Sequence, residues 1–81
     1  MSQKKLSQLK EGEKAIIKSI GDIQELKERL LELGALSNST IKLEKIAPFG
    51  DPMEFRLGNT SFAIRKSEAD KIIVERFKDR V

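Results

Sequence analysis

The chain contains no cysteine, histidine, tryptophan or tyrosine, and each absence removes a class of function. Without cysteine there is no disulfide framework of the kind that staples small secreted scaffolds. Without histidine, a Ser-His-Asp or Cys-His arrangement cannot be assembled within the chain. Together the two absences exclude zinc and iron sites built from thiolate or imidazole. Neither a phosphate loop nor a GxGxxG fingerprint occurs. No run approaches the ~18 apolar residues of a membrane-spanning helix. The start, Met1-Ser2-Gln3-Lys4-Lys5, leads into mixed polar sequence and not into the apolar stretch of a signal peptide. The cytoplasm is the expected compartment, without direct membrane insertion.

What is present fits one small domain. The 81 residues, 38% of them hydrophobic, are expected to form a single domain over 1–81, ordered from about residue 6 to 77 with a frayed C-terminal tail. A core of this size is thin and leaves little room for a deep pocket. Sixteen basic and thirteen acidic residues give a net charge of +3. The signs are interleaved, as in Lys10-Glu11-Gly12-Glu13-Lys14, whereas nucleic-acid binders gather positive charge into a patch. No block of the sequence does so, although folding could assemble one. Nucleic acid is not the expected partner.

The order of elements is readable from pattern. Leu6 and Leu9 lead in and cover one end of the core. Ala15-Ile16-Ile17-Lys18-Ser19-Ile20 has the β-branched enrichment of a strand. Ala15 and Ile17 share a face but Ile20 comes three positions on, which asks for a bulge or strand end near Ser19. A helix follows over about residues 22–33, with Asp22 as N-cap and Glu25 three residues later. Ile23, Leu26, Leu30 and Leu33 form its apolar stripe, and Gly34 ends it. Leu31 falls beside that stripe.

Thr40-Ile41-Lys42-Leu43-Glu44 alternates as a half-buried strand. Ala47-Pro48-Phe49-Gly50-Asp51-Pro52 is a loop on its turn chemistry. Met53 to Leu57 and Thr60 to Arg65 read as a hairpin about Gly58-Asn59. Ser67-Glu68-Ala69-Asp70 reads as a helical turn with Ser67 as N-cap, and Ile72-Ile73-Val74 as the last strand. The expected fold is mainly β: a small five-stranded barrel with one helix after the first strand and a short helical turn before the last.

Several of these pieces carry a resemblance. Leu6 and Leu9 before Gly12, Arg29-Leu30-Leu31-Glu32-Leu33-Gly34, the loop Ala47 to Pro52, Ala63-Ile64-Arg65 with Ser67-Glu68-Ala69, and finally Ile72 and Val74 resemble the FeoA family, the small cytoplasmic component of the bacterial ferrous iron uptake system. The resemblance covers about residues 6–74. It implies an SH3-like barrel and a partner: the large membrane protein of that system (FeoB-like), which carries ferrous iron and has a cytoplasmic GTPase domain. Similar domains end iron- or manganese-dependent repressors, whose DNA-binding domain is not expected in 81 residues. Two positions depart from the family. Ser37-Asn38 stands where Pro-Gly is common, and Thr60 where an aromatic often occurs. Asn tolerates positive φ, so the turn is expected to survive.

The expected function is therefore that of a non-catalytic accessory protein, with no catalytic residue, cofactor or metal site of its own. The residues singled out for partner binding are Phe49 and Leu31, with Leu30 as the alternative if the helix is rotated. Phe49 sits at the tip of a proline-stiffened loop and would lose little entropy on binding. The competing reading folds it over one end of the barrel. Leu31 either widens the buried helix face or belongs to a partner patch. Arg29 and Arg65 invite the role of an arginine finger on the GTPase, against the commoner fate of a solvated or carboxylate-paired side chain. The alternatives are a small nucleic-acid-binding barrel and a weak direct metal binder, whose best carboxylate pair is Asp51 with Glu54. A site of hard oxygens alone holds ferrous iron weakly, so anaerobic titration calorimetry should find no stoichiometric ferrous site of sub-micromolar affinity. Such a site would reveal a carboxylate cluster that the sequence hides.

Overall fold

Alternation builds the sheet, and two extra residues bend it. A computed structural model describes residues 3–22, 24–34 and 38–77. Its six strands are β1 (Gln3–Lys5), β2 (Lys14–Ser19), β3 (Thr40–Ile46), β4 (Met53–Leu57), β5 (Thr60–Ile64) and β6 (Ile73–Arg76), and its two helices are α1 (Gln24–Glu32) and α2 (Lys66–Ala69). A single 3-10 turn occupies Leu6–Gln8. Every pairing is antiparallel, in the order β1-β6-β2-β3-β4-β5. Ala15 and Ile17, Ile41 and Leu43, and Met53 and Phe55 point inward, as period two requires.

The register shifts between Ile17 and Ser19 against β6, and again between Leu43 and Lys45 against β4. A bulge of this kind adds one residue and strengthens the local twist. It also explains why Ile20 and Ile46, each three residues past a buried neighbour, still pack on the core. The first bulge, with β2 ending at Ser19, answers the spacing of Ile17 and Ile20, which asks for a bulge or a strand end there. The second lets β3 run on to Ile46. With both bends, residues of β2 to β6 join a single core, capped by Leu6 and Leu9 at one end and by Leu26 and Leu30 of α1.

Among the described residues the strand count is six and not five. β1 contains only Gln3, Lys4 and Lys5 and pairs with β6 through its backbone, so no hydrophobic pattern announces it. Helix α1 covers most of the expected span and stops at Gly34, which has φ +87° and donates to the Leu31 carbonyl at 3.0 Å. Ile23, the proposed first residue of its stripe, lies outside the described residues, as do Ser37 and the C-terminal tail. Asn38 adopts φ 73°, the conformation expected of it in place of glycine. Its N–H donates to the Ile17 carbonyl at 2.7 Å, and Ile17 donates in turn to Ser39 at 2.9 Å. The returning chain is thereby stitched to β2.

The short helix begins two residues earlier than a Ser67 N-cap implies. Arg65 is the flanking residue, and the Glu68 carboxylate reaches back to accept the Arg65 N–H at 3.2 Å. Arginine has no acceptor of its own, so the first turn is satisfied by Glu68 and not by a serine cap. Just before α1, Gly21 holds φ +84°, and a Cβ there would lie 2.7 Å from the Lys71 carbonyl oxygen. Gly21→Ala therefore meets both a backbone strain and a backbone clash. It should lower stability by more than about 1 kcal/mol in urea unfolding. An unchanged midpoint would show that residues 20–22 and 71 do not approach so closely.

Candidate functional site

Among the described residues nearly all large apolar side chains are inside, so the two outside stand apart. Phe49 is 98% exposed and Leu31 53% exposed. Leu30 is 0% exposed. As an alternative partner residue Leu30 is thus corrected: it belongs to the stripe that packs α1 on the core and offers a partner no surface.

Phe49 is exposed on a fixed loop. The Ala47 N–H donates to Pro52 at 3.1 Å and the Gly50 N–H to Ala47 at 2.7 Å. Gly50 takes φ +88°, which the tight turn requires and glycine permits. Asp51 accepts the Lys66 N–H at 2.8 Å, satisfying one of the donors left open at the start of α2. The aromatic tip is therefore tied to the second helix through two residues.

Helix α2 is the hub of this end of the molecule. Besides the Arg65 N–H, Glu68 Oε1 accepts Arg29 Nη2 of α1 at 3.1 Å. Asp70 accepts the Ser7 hydroxyl from the 3-10 turn. Arg29 and Leu31 are about 160° apart around the helix axis, so Leu31 faces the flank away from α2. Leu31 and Phe49 thus sit on different elements, α1 and the loop between β3 and β4.

The charged candidates have definite places. Arg29 is paired with Glu68. Arg65 is exposed and, with Asp51 and Pro52, lines a cleft of about 210 Å³ beside the aromatic loop. Asp51 and Glu54 are not gathered into a cluster: Asp51 serves Lys66, and Glu54 stands opposite Lys45 on β3. A groove of about 340 Å³ along α1 is lined by Glu25, Glu28, Arg29, Glu32 and Glu68, an acidic flank with Arg29 in its midst. Among the described residues no group of three or more carboxylates is placed to hold a metal ion. Two carboxyls titrate low. Hydrogen bonds from the Lys4 side chain and the Lys10 N–H hold Glu13 below its ordinary value, and the Ser61 hydroxyl followed by the Arg56 guanidinium does the same for Glu44.

Comparison with known proteins places this arrangement. The FeoA domain family matches residues 4–76. The chain belongs to the FeoA family. A Porphyromonas gingivalis protein described as a fusion of Fe(2+) transport protein A with Fe(2+) transporter FeoB is 32% identical over 71 residues. That match takes in 88% of this chain and 8% of the much longer relative. The solution structure of FeoA from Chlorobium tepidum superposes with a TM-score of 0.86 at 32% identity, over 91% of this chain and 70% of the other. Zinc-complexed FeoA from Stenotrophomonas maltophilia, described as an SH3-domain protein and a candidate activating factor of bacterial ferrous iron transport, has a TM-score of 0.75 at 30% identity, over 88% of both chains. The fold is accordingly SH3-like, and the family is a small accessory one linked to ferrous iron transport. Among the described residues no helix is long and apolar enough to cross a membrane.

The two exposed residues separate cleanly from the buried one in stability. Phe49→Ser and Leu31→Gln should each change the unfolding free energy by less than about 0.5 kcal/mol. Leu30→Ala should cost about 2–5 kcal/mol. Thermal melting of the three variants checks this, and a large loss at Phe49 would mean that its ring packs on the barrel.

Proposed function

We propose that the protein is a non-catalytic adaptor of ferrous iron uptake, acting in the cytoplasm by binding the cytoplasmic part of a GTPase-type iron transporter and modulating it. The observation that carries this reading is the fused relative, in which a segment like this chain and a FeoB-type transporter share one polypeptide. Covalent fusion keeps two modules at high effective concentration, which is useful when they work in contact. The geometry agrees. An exposed phenylalanine on a braced loop is a preorganised anchor, and affinity concentrates in a few desolvated apolar contacts. With Arg29 paired to Glu68, Arg65, which lines the cleft beside the loop with Asp51 and Pro52, is available for a polar contact at the rim.

A second reading, direct transition-metal binding, draws on the zinc present in the Stenotrophomonas maltophilia structure. In this chain only oxygen ligands could serve, and they favour hard cations.

The adaptor reading is tested by the affinity of the chain for the isolated cytoplasmic domain of the transporter. Phe49→Ser or Leu31→Gln should weaken it about tenfold or more, equivalent to ~1.4 kcal/mol, while the melting temperature holds. Unchanged affinity in both variants would move the interface elsewhere, to the Gly58-Asn59 hairpin or the strand that carries Arg65.

A further inference from the structure

Strand register assembles what the sequence keeps apart. Lys14 of β2 stands directly opposite Lys42 of β3, and Lys42 directly opposite Arg56 of β4. Their neighbours Ala15, Ile41, Leu43 and Phe55 are buried, so all three cations lie on the outer face. Like charges directly opposite on a sheet are unfavourable, and a row of three adds two such pairs. Only the Arg56 end is relieved by an ion pair, though Glu44 also feels the charge of Lys42. Glu44, the residue set out by the bulge in β3, accepts Arg56 Nε at 2.8 Å and the Ser61 hydroxyl at 3.0 Å. Among the described residues Lys14 and Lys42 have no ion pair, and Lys14 Nζ lies over the Phe77 ring, 5.6 Å from its centre. Beyond Lys14 the row opens into a cleft of about 280 Å³ that Arg76 also lines.

From this we infer that the outer face of β2, β3 and β4 is a second docking surface, which takes an extended acidic peptide segment of a protein partner laid across the strands. Adjacent strands are about 4.8 Å apart and alternate side chains of an extended chain about 6.8 Å apart. Two or three carboxylates of such a segment can thus meet the row through the long, adaptable lysine stems. The surroundings argue against other polyanions. Single-stranded nucleic acid needs ring platforms for its bases, and the ring here already lies beneath Lys14. A membrane surface is held by basic residues together with inserted apolar ones, and among the described residues the large exposed apolar side chains, Leu31 and Phe49, are on α1 and the β3–β4 loop. The inference stands on register and charge alone and does not depend on the iron-transport reading.

Fluorescence anisotropy with a labelled Glu-Ser repeat peptide tests it without any transporter component. The protein should bind the peptide saturably, and more weakly as salt rises from about 50 to about 200 mM. Replacing both Lys14→Gln and Lys42→Gln should weaken binding about tenfold with the melting temperature unchanged or raised. Lys27→Gln with Lys71→Gln removes the same charge elsewhere and should leave binding nearly intact. No saturation at about millimolar peptide, or equal losses in the two double variants, would overturn the proposal. So would a lowered melting temperature in the row variant, which would make the lysines structural. Tighter binding of anionic phospholipid vesicles or of single-stranded DNA, lost in the same variant, would overturn the peptide as occupant.

Discussion

Everything in this molecule depends on one shared core. An 81-residue chain has too little interior for separate layers each with its own apolar contacts, so the inner faces of β2 to β6 must converge. Flat alternating strands would not converge. The two bulges, after Ile17 and after Leu43, allow it by re-aiming Ile20 and Ile46 onto the same interior that Ala15 and Leu43 already reach. Helix α1 closes the interior with Leu26 and Leu30. Among the described residues no polar or charged residue is buried, so the core places no demand on the polar chemistry outside it.

That division leaves the surface free to be organised by hydrogen bonds and charge. Helix α2 is only Lys66–Ala69, too short to be stable alone, and it persists because Asp51, Glu68 and Ser7 attach it to the loop, to α1 and to the 3-10 turn. The Arg29–Glu68 pair is exposed and contributes modestly by itself. Its effect is positional, since it joins the flank of α1 to the helix that also braces the aromatic loop. Phe49 can stay outside because the loop that bears it is satisfied without it.

Much of this was legible in the sequence. Gly34 and Asn38 announce positive φ because few residues tolerate it, and both adopt it. Ile17 and Ile20, three apart in a strand-like run, ask for a bulge or a strand end near Ser19, and both are there. Gly58-Asn59 marked the hairpin, with Gly58 at φ 60° and Leu57 paired to Thr60. Other features were hidden for physical reasons. β1 buries no apolar side chain, and the start of α2 uses a glutamate that reaches backwards where a serine cap was expected. For Leu31 and Phe49 the sequence allowed burial or exposure equally. A helical wheel places Leu31 at the margin of the stripe, and only the packed position of α1 decides which way the margin faces. The cationic row was invisible because Lys14, Lys42 and Arg56 are distant in sequence and meet only through register.

The placement of the two kinds of exposed feature has a further consequence. Stability alone would favour hiding Phe49 and breaking the row of like charges, since an exposed ring gains nothing from the core and opposed lysines repel. Neither change would disturb the fold: the loop is held by Asp51, and a neutral residue at position 42 would still alternate with Ile41 and Leu43. Features that cost stability, and that the fold could shed without rearrangement, are what a binding surface looks like in the absence of its partner. The two exposed apolar side chains and the cations occupy different elements, α1 and the β3–β4 loop for one, the outer faces of β2, β3 and β4 for the other. Contacts made at one therefore need not exclude contacts made at the other, and a domain this small can engage two segments of a partner at once. Bridging of that kind asks for a rigid body with chemically distinct faces, which a single shared core that, among the described residues, buries no polar or charged residue provides.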